Sequence, residues 1–290
     1  MVSASLSTMT RWTISAILGV VPQLCLAQTT RDGRIDLGGY RLYISESGSG
    51  VPAVVFESGL GEDATTWSNV QPQVALFART LAYDRAGLGK SDPSPHHKTV
   101  PEMAFELHSL LHTARVPPPY VLVGHSLGGA IVQVFAHSYP KEVAGLVLVD
   151  PEDGRLNDRL RSHMTAPEWA ERQKALDEAM PKFTDTQKAE LEAYKTSSKD
   201  LAEALPMPAV PIILLTGTKK NPEFPGNPLE QDLKLELHNE LLAKIPQGKH
   251  VLVPNSRHYI QNDAPELVIE AIRDVARHST SSGGQAPTKH

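Results

Sequence analysis

The amino-acid sequence predicts an α/β protein: a mostly parallel sheet with helices on both faces and a small helical insertion. Three observations predict it. Short, continuously apolar runs alternate along the chain with segments whose apolar residues recur at helical spacing. The runs lack the in–out alternation of a half-solvated strand, so they suit strands buried on both faces, as in a parallel sheet covered by helices. One long stretch, 151–208, breaks the alternation with charged, helix-favouring sequence in which no strand is legible.

In chain order, RIDLGGYRLYISESG (34–48) reads as two antiparallel strands around Gly38-Gly39. PAVVFES (52–58) and TLAYD (80–84) read as buried strands. A helix is expected over about 99–114, where Met103, Leu107, Leu110 and Leu111 share a face. YVLVG (120–124), a helix over 128–139 and the strand GLVLVD (145–150) follow. Within 151–208, Leu156, Leu160 and Met164, then Leu176 and Met180, then Leu201 and Leu205 keep helical spacing. That predicts two to four helices, forming either a cap or plain surface helices. The strand VPIILLTG (210–217), a helix near 229–244, the strand HVLVP (250–254) and a helix from Pro265 to about His278 complete the pattern.

The chain has 290 residues, 40% hydrophobic and 21% charged, enough for one large domain with a sizeable core, read here as 28–278. A net charge of −5 gives no reason to expect a nucleic-acid partner or an anionic membrane surface. In the first 27 residues Arg11 is the only charged side chain, the run from Trp12 to Leu26 is largely apolar, and Ala27 precedes polar sequence. These are the parts of a secretory signal cut after Ala27, which predicts an exported protein, periplasmic or secreted. The alternative is an uncleaved anchor helix, although the run is short for a span and Pro22 interrupts it. No stable membrane insertion of the mature chain is expected. The only cysteine, Cys25, lies inside the signal, so no disulfide, thiolate metal site or cysteine nucleophile is expected. The tail STSSGGQAPTKH (279–290) has the composition of a disordered segment.

The strongest chemical signal is Gly124-His125-Ser126-Leu127-Gly128, followed by Gly129. It follows the apolar run YVLV and precedes the helical pattern AIVQVFAHSYP. Strand, sharp turn and helix are what a nucleophile elbow requires, with glycines letting strand and helix pass closely. A serine hydroxyl needs a base to take its proton. Of the 12 histidines, His108, His112, His137 and His238 lie within helical patterns, and His125 lies in the turn itself. His258 follows HVLVP in the polar loop PNSRHYIQND ahead of the last helix, at the carboxyl edge of the sheet where the ligand crevice of such folds lies. Ser126 and His258 are therefore the candidate nucleophile and base.

GHSLGG after one strand, DRAGLGKSD (84–92) after an earlier one and SRHYIQNDAPELV (256–268) near the end together resemble the α/β-hydrolase superfamily, over about 34–278. The resemblance implies the α/β-hydrolase fold, and it implies that DRAGLGKSD shapes the pocket, with Asp84 and Asp92 structural. It also implies an acid between serine and histidine. The usual window after the seventh strand reads TGTKKNPEF here, with lysines and Asn221 where the acid is common. A minority arrangement puts the acid at the end of the sixth strand. That points to Asp150, 24 residues after Ser126, with Asp232, Glu223 and Glu230 as alternatives and Glu152 and Asp153 as outsiders. Oxyanion donors are implied at the backbone N–H groups of Leu127 and, within Ser58-Gly59-Leu60-Gly61, of Leu60.

A serine nucleophile favours attack on an acyl carbon and an acyl-enzyme that water cleaves. The expected activity is hydrolysis of a small-molecule carboxylic ester, with no cofactor and no metal. An amidase or aminopeptidase resembling proline iminopeptidases is the second enzymatic reading. A non-enzymatic small-molecule binder on the same scaffold is the reading from another class.

Overall fold

The computed structural model describes residues 30–179, 183–224 and 226–281. The expected signal (1–27) and residues 282–290 of the expected tail lie outside the described residues. The chain opens with a hairpin, β1 (Thr30–Asp36) and β2 (Arg41–Ser47). Asp36 Oδ1 accepts from the N–H groups of Gly38 and Gly39, at 2.8 and 3.1 Å, and both glycines take positive φ in the turn. The remaining strands are β3 (Ala53–Glu57), β4 (Thr80–Tyr83), β5 (Tyr120–His125), β6 (Val143–Val149), β7 (Ile212–Gly217) and β8 (Gly248–Val253). They form one eight-stranded sheet in the order β1-β2-β4-β3-β5-β6-β7-β8. β1–β2 and β2–β4 pair antiparallel and every later pair is parallel.

Both faces of the sheet are covered. Val55 and Leu122 point into a core shared with α2 (Val100–Thr113) and α3 (Leu127–Ser138). Their neighbours Val54, Phe56, Val121 and Val123 point to the other face, where α1 (Gln71–Val74), α8 (Ile260–Asp263) and α9 (Pro265–Ser281) pack. A period of two with both faces apolar is why these strands read as unbroken apolar runs. Thr99 caps α2, its hydroxyl accepting from the N–H of Glu102 at 3.2 Å.

Between β6 and β7 stand α4 (Arg155–His163), α5 (Ala166–Ala179) and α6 (Asp185–Glu203). α6 starts at a capping box made by Thr184 and Gln187. α4 packs on α7 (Asn227–Ala243) through Leu156, Leu160, Leu233 and Leu237.

The last helix runs to Ser281, three residues beyond the expected end at His278 and into the segment read as tail. The 3₁₀ turn Ala64–Trp67 and the four-residue helices α1 and α8 were not expected, because one turn of helix carries no periodicity to read. The chain leaves β3 for β4 on one side and returns to β5 on the other. In open α/β sheets such a reversal is where the ligand crevice lies, here beyond the carboxyl ends of β3 and β5.

Candidate active site

β5 turns into α3 at Ser126, which holds φ 54° and ψ −121° and is 6% exposed. A non-glycine residue there stores about 1–3 kcal/mol of strain, which the surroundings must impose. The Ser126 N–H donates to Val149 O at 3.2 Å, and its carbonyl accepts from Gly129 and Glu152 N–H groups at 2.9 and 3.1 Å. The glycines make the crossing possible. A Cβ on Gly124 would lie 2.4 Å from Gly128 O, and one on Gly128 would lie 2.3 Å from Glu57 O.

The loop after β8 brings His258 over this turn. Its Nε2 stands 2.9 Å from Ser126 Oγ and its Nδ1 2.7 Å from Asp150 Oδ2. A carboxylate only accepts, so Nδ1 carries the ring proton and Nε2 is left to accept from the serine hydroxyl. Several hydrogen bonds fix this loop. His125 Nε2 meets the His258 carbonyl at 3.1 Å, and Asp263 Oδ2 accepts from Ser256 Oγ at 3.0 Å and the Arg257 N–H at 3.2 Å. Gly217 admits the loop, since a Cβ there would lie 1.8 Å from Arg257 O.

Asp150 directly follows β6 at φ 45° and is fully buried. Its Oδ1 accepts from the Gly217 N–H at 2.9 Å. Its Oδ2, besides meeting His258, accepts from Lys234 Nζ at 2.5 Å. Burial acts to raise the Asp150 pKa, but the Lys234 charge, then the His258 hydrogen bond and charge, hold the carboxyl well below the usual range. Burial acts to lower the pKa of His258. The hydrogen bond and charge of Asp150, with the charge of Glu152, outweigh it and raise the imidazole above 6.5.

Leu127 is the first residue of α3, and Leu60 lies in the turn after β3. Among the described residues neither N–H meets a hydrogen-bond acceptor. Their neighbours are tied down: the Gly59 N–H donates to Glu62 Oε2 at 2.9 Å and the Gly61 N–H to Glu190 Oε2 at 2.8 Å. Gly61 takes φ 71°.

Asp232, Glu230 and Glu223 are placed elsewhere. Asp232 pairs with Lys220 at the surface at 2.7 Å, Glu230 pairs with Arg172 at 3.0 Å, and Glu223 lines a surface cleft with His163 and Glu168. Of the two outsiders, Asp153 pairs with Arg155 at 2.6 Å. Glu152 enters the site, with Oε1 3.8 Å from His258 Nε2 and Oε2 buried with no hydrogen-bond partner among the described residues. Asp84 and Asp92 do structural work. Buried Asp84 accepts from Ala64 and Lys90 N–H groups at 2.8 and 2.7 Å, and Asp92 joins Arg34 and Arg41 at the surface.

Sequence reasoning missed Glu62, Lys234 and a buried ionic cluster around Arg85. Arg85 donates to Glu57 Oε1 at 2.7 Å, to both oxygens of Glu190 at 2.8 and 2.9 Å, and to the carbonyls of Ser58 and Gly59 at 2.6 Å. Arg85 sits inside the DRAGLGKSD motif, which was its available signal. A lysine within a helical pattern gives none.

Among the described residues, one cluster has metal-ligand chemistry: His108, His112 and Glu142, whose ligand atoms lie within 4.8 Å of one another. It sits on α2 and before the start of β6, at the opposite edge of the sheet from Ser126. Among the described residues no helix is long and apolar enough to cross a membrane.

Residues 52–200 match the family described as alpha/beta hydrolase fold. The uncharacterized protein YqjL of Bacillus subtilis (strain 168) is 32% identical over 233 residues, which covers 79% of this chain and 85% of YqjL. The chain belongs to the α/β-hydrolase fold family. Two solved structures share the fold. An esterase from Thermogutta terrifontis aligns at TM-score 0.55 and 22% identity, covering 86% of this chain and 99% of that one. Alpha/beta hydrolase domain-containing protein 10 from mouse aligns at TM-score 0.62 and 18% identity, covering 84% and 97%.

Proposed function

We propose that this chain is a serine hydrolase that cleaves carboxylic esters through an acyl-enzyme on Ser126. One observation carries the reading: the unbroken hydrogen-bonded series Ser126 Oγ, His258, Asp150, at 2.9 and 2.7 Å, on a strained strand-to-helix turn. Ser126 Oγ attacks the ester carbonyl carbon while its proton passes to His258 Nε2. Asp150 keeps the proton on Nδ1 and stabilises the imidazolium that forms. The carbonyl oxygen, now an anion, accepts from the Leu60 and Leu127 N–H groups. Loss of one such donor typically costs about 2.7–4 kcal/mol in the transition state. The tetrahedral species expels the alcohol, which takes the proton from Nε2. Water repeats the sequence on the acyl-enzyme and releases the acid.

Amide cleavage by an aminopeptidase uses the same groups, and Glu152 favours it as the second reading: a carboxylate beside the reacting atoms suits a substrate ammonium. A panel of chromogenic acyl esters and aminoacyl anilides separates the two. The ester reading expects turnover of the acyl esters by the wild type and none by Ser126→Ala. Turnover confined to the aminoacyl anilides selects the second reading.

A further inference from the structure

We propose that Lys234 is a positioning residue of the triad, which holds Asp150 by the very oxygen His258 uses and so sets the pH at which His258 begins to act as a base. This rests on the serine-hydrolase reading of Ser126 and His258. Lys234 lies on α7, 4% exposed, and its Nζ meets Asp150 Oδ2 at 2.5 Å while His258 Nδ1 meets the same atom at 2.7 Å. The other oxygen is occupied by the Gly217 N–H at 2.9 Å. The carboxylate is thus held from three sides by donors on β7, α7 and the His258 loop. A buried ammonium retains its charge only beside such a partner.

The electrostatic consequence follows from the sharing. An imidazolium on His258 faces an ion pair of no net charge instead of a bare carboxylate, so Lys234 withdraws proton affinity from the base. Glu152, with Oε1 3.8 Å from Nε2, acts in the opposite sense. Other titratable groups surround His258. The His125 ring lies 4.7 Å away, tilted by 47°, and its Nδ1 meets Glu62 Oε2 at 3.2 Å. Tyr259 lies 5.5 Å away. His238, on the same helix as Lys234, is kept neutral at ordinary pH by burial, its pKa pulled down to about 4. His258 therefore sits between the buried Lys234 and the partly exposed Glu152, whose own pKa burial raises, and neither is a member of the triad.

A lysine that merely pinned α7 to the end of β6 would alter the rate equally at all pH values. The discriminating measurement is the rate of fluorophosphonate labelling of Ser126 across pH, which needs no knowledge of the substrate. In Lys234→Met the acid limb should move to higher pH, with labelling about tenfold slower than wild type near pH 6 and within about twofold near pH 9, where both imidazoles are neutral. Lys234→Arg, which keeps the charge, should retain the wild-type midpoint. Glu152→Gln should move the limb to lower pH. Thermal unfolding and circular dichroism show whether each variant is folded. If Lys234→Met is not recovered folded, Lys234→Gln, which keeps a donor and drops the charge, gives the same comparison. An unchanged midpoint in the neutral variants, or a shift to lower pH, overturns the role of Lys234 while leaving the hydrolase reading intact. Wild type that does not label at any pH overturns the hydrolase reading itself, and this role with it.

Discussion

Ser126 occupies a backbone conformation that its side chain alone would avoid, and its neighbours explain how it is kept there. A hydrogen bond to Val149, two more to its carbonyl, and glycines that could carry no Cβ leave the turn no other path. That turn was legible because its requirements are written in residue types: glycine where backbones touch, an apolar run before, a helical pattern after. His258 was legible by position, as the histidine in a polar loop between the last strand and the last helix. Asp150 was legible only through family resemblance, because an aspartate at a strand end has many ordinary uses. Lys234 was hidden for a physical reason. The buried side of α7 carries Gln231, Lys234 and His238 among its leucines, so it reads as a solvated helix face. Two outcomes belong to this scale. Asp150→Asn should lower turnover about 10⁴-fold, since the imidazole loses its tautomer, whereas Asp232→Asn should stay at wild-type activity. Steady-state kinetics on folded variants checks both. On the serine-hydrolase reading His258 acts only when neutral and its pKa is raised, so kcat/KM should fall as pH drops through a value above 6.5, which a pH–rate profile reads directly.

Among elements, α6 stands out. Its first turn rests on two loops that take positive φ at glycine: a Cβ on Gly61 would meet Gln187 at 2.8 Å and one on Gly87 would meet Thr186 at 2.4 Å. Its Glu190 then reaches down to Arg85 and the Gly61 N–H. One carboxylate thereby joins α6 to the turn that carries Leu60. The sequence indicated helices over 151–208, and the helical spacing of their apolar residues is why. Their seating was not legible, because it depends on a buried ion pair 105 residues apart in the chain. Glu190→Ala leaves a buried guanidinium short of its partner and should cost about 3–5 kcal/mol of stability. Chemical denaturation measures that loss, and fluorophosphonate labelling at low denaturant should be slower than wild type because the Gly61 N–H loses its anchor.

For the whole molecule, the sheet order explains why residues so far apart in sequence meet. The chain reverses direction of addition between β3 and β5, and the segments that follow β6 and β8, with the end of β7, then bring Asp150, His258 and the Gly217 N–H together there. Apolar runs on both faces announced the layered architecture. The order of strands was not legible, since runs of equal length do not say which lie side by side. Burial also sets how the molecule meets acid. His238 is 2% exposed, hydrogen-bonded to Pro151 O at 2.8 Å and Thr216 Oγ1 at 2.7 Å, with its pKa lowered from 6.5 to about 4. Between those values the unfolded chain binds the extra proton, so stability should fall as pH drops from about 6.5 to 4, by about 3 kcal/mol from this group. His238→Gln should flatten that slope in denaturant titrations run across the same range.

The most direct measurement is peptide mapping by mass spectrometry after reaction of the purified protein with a fluorophosphonate. The triad account predicts a single adduct on Ser126, formed slowly in His258→Ala and absent in Ser126→Ala. An adduct on another serine that survives Ser126→Ala, or no adduct on folded wild type, contradicts it.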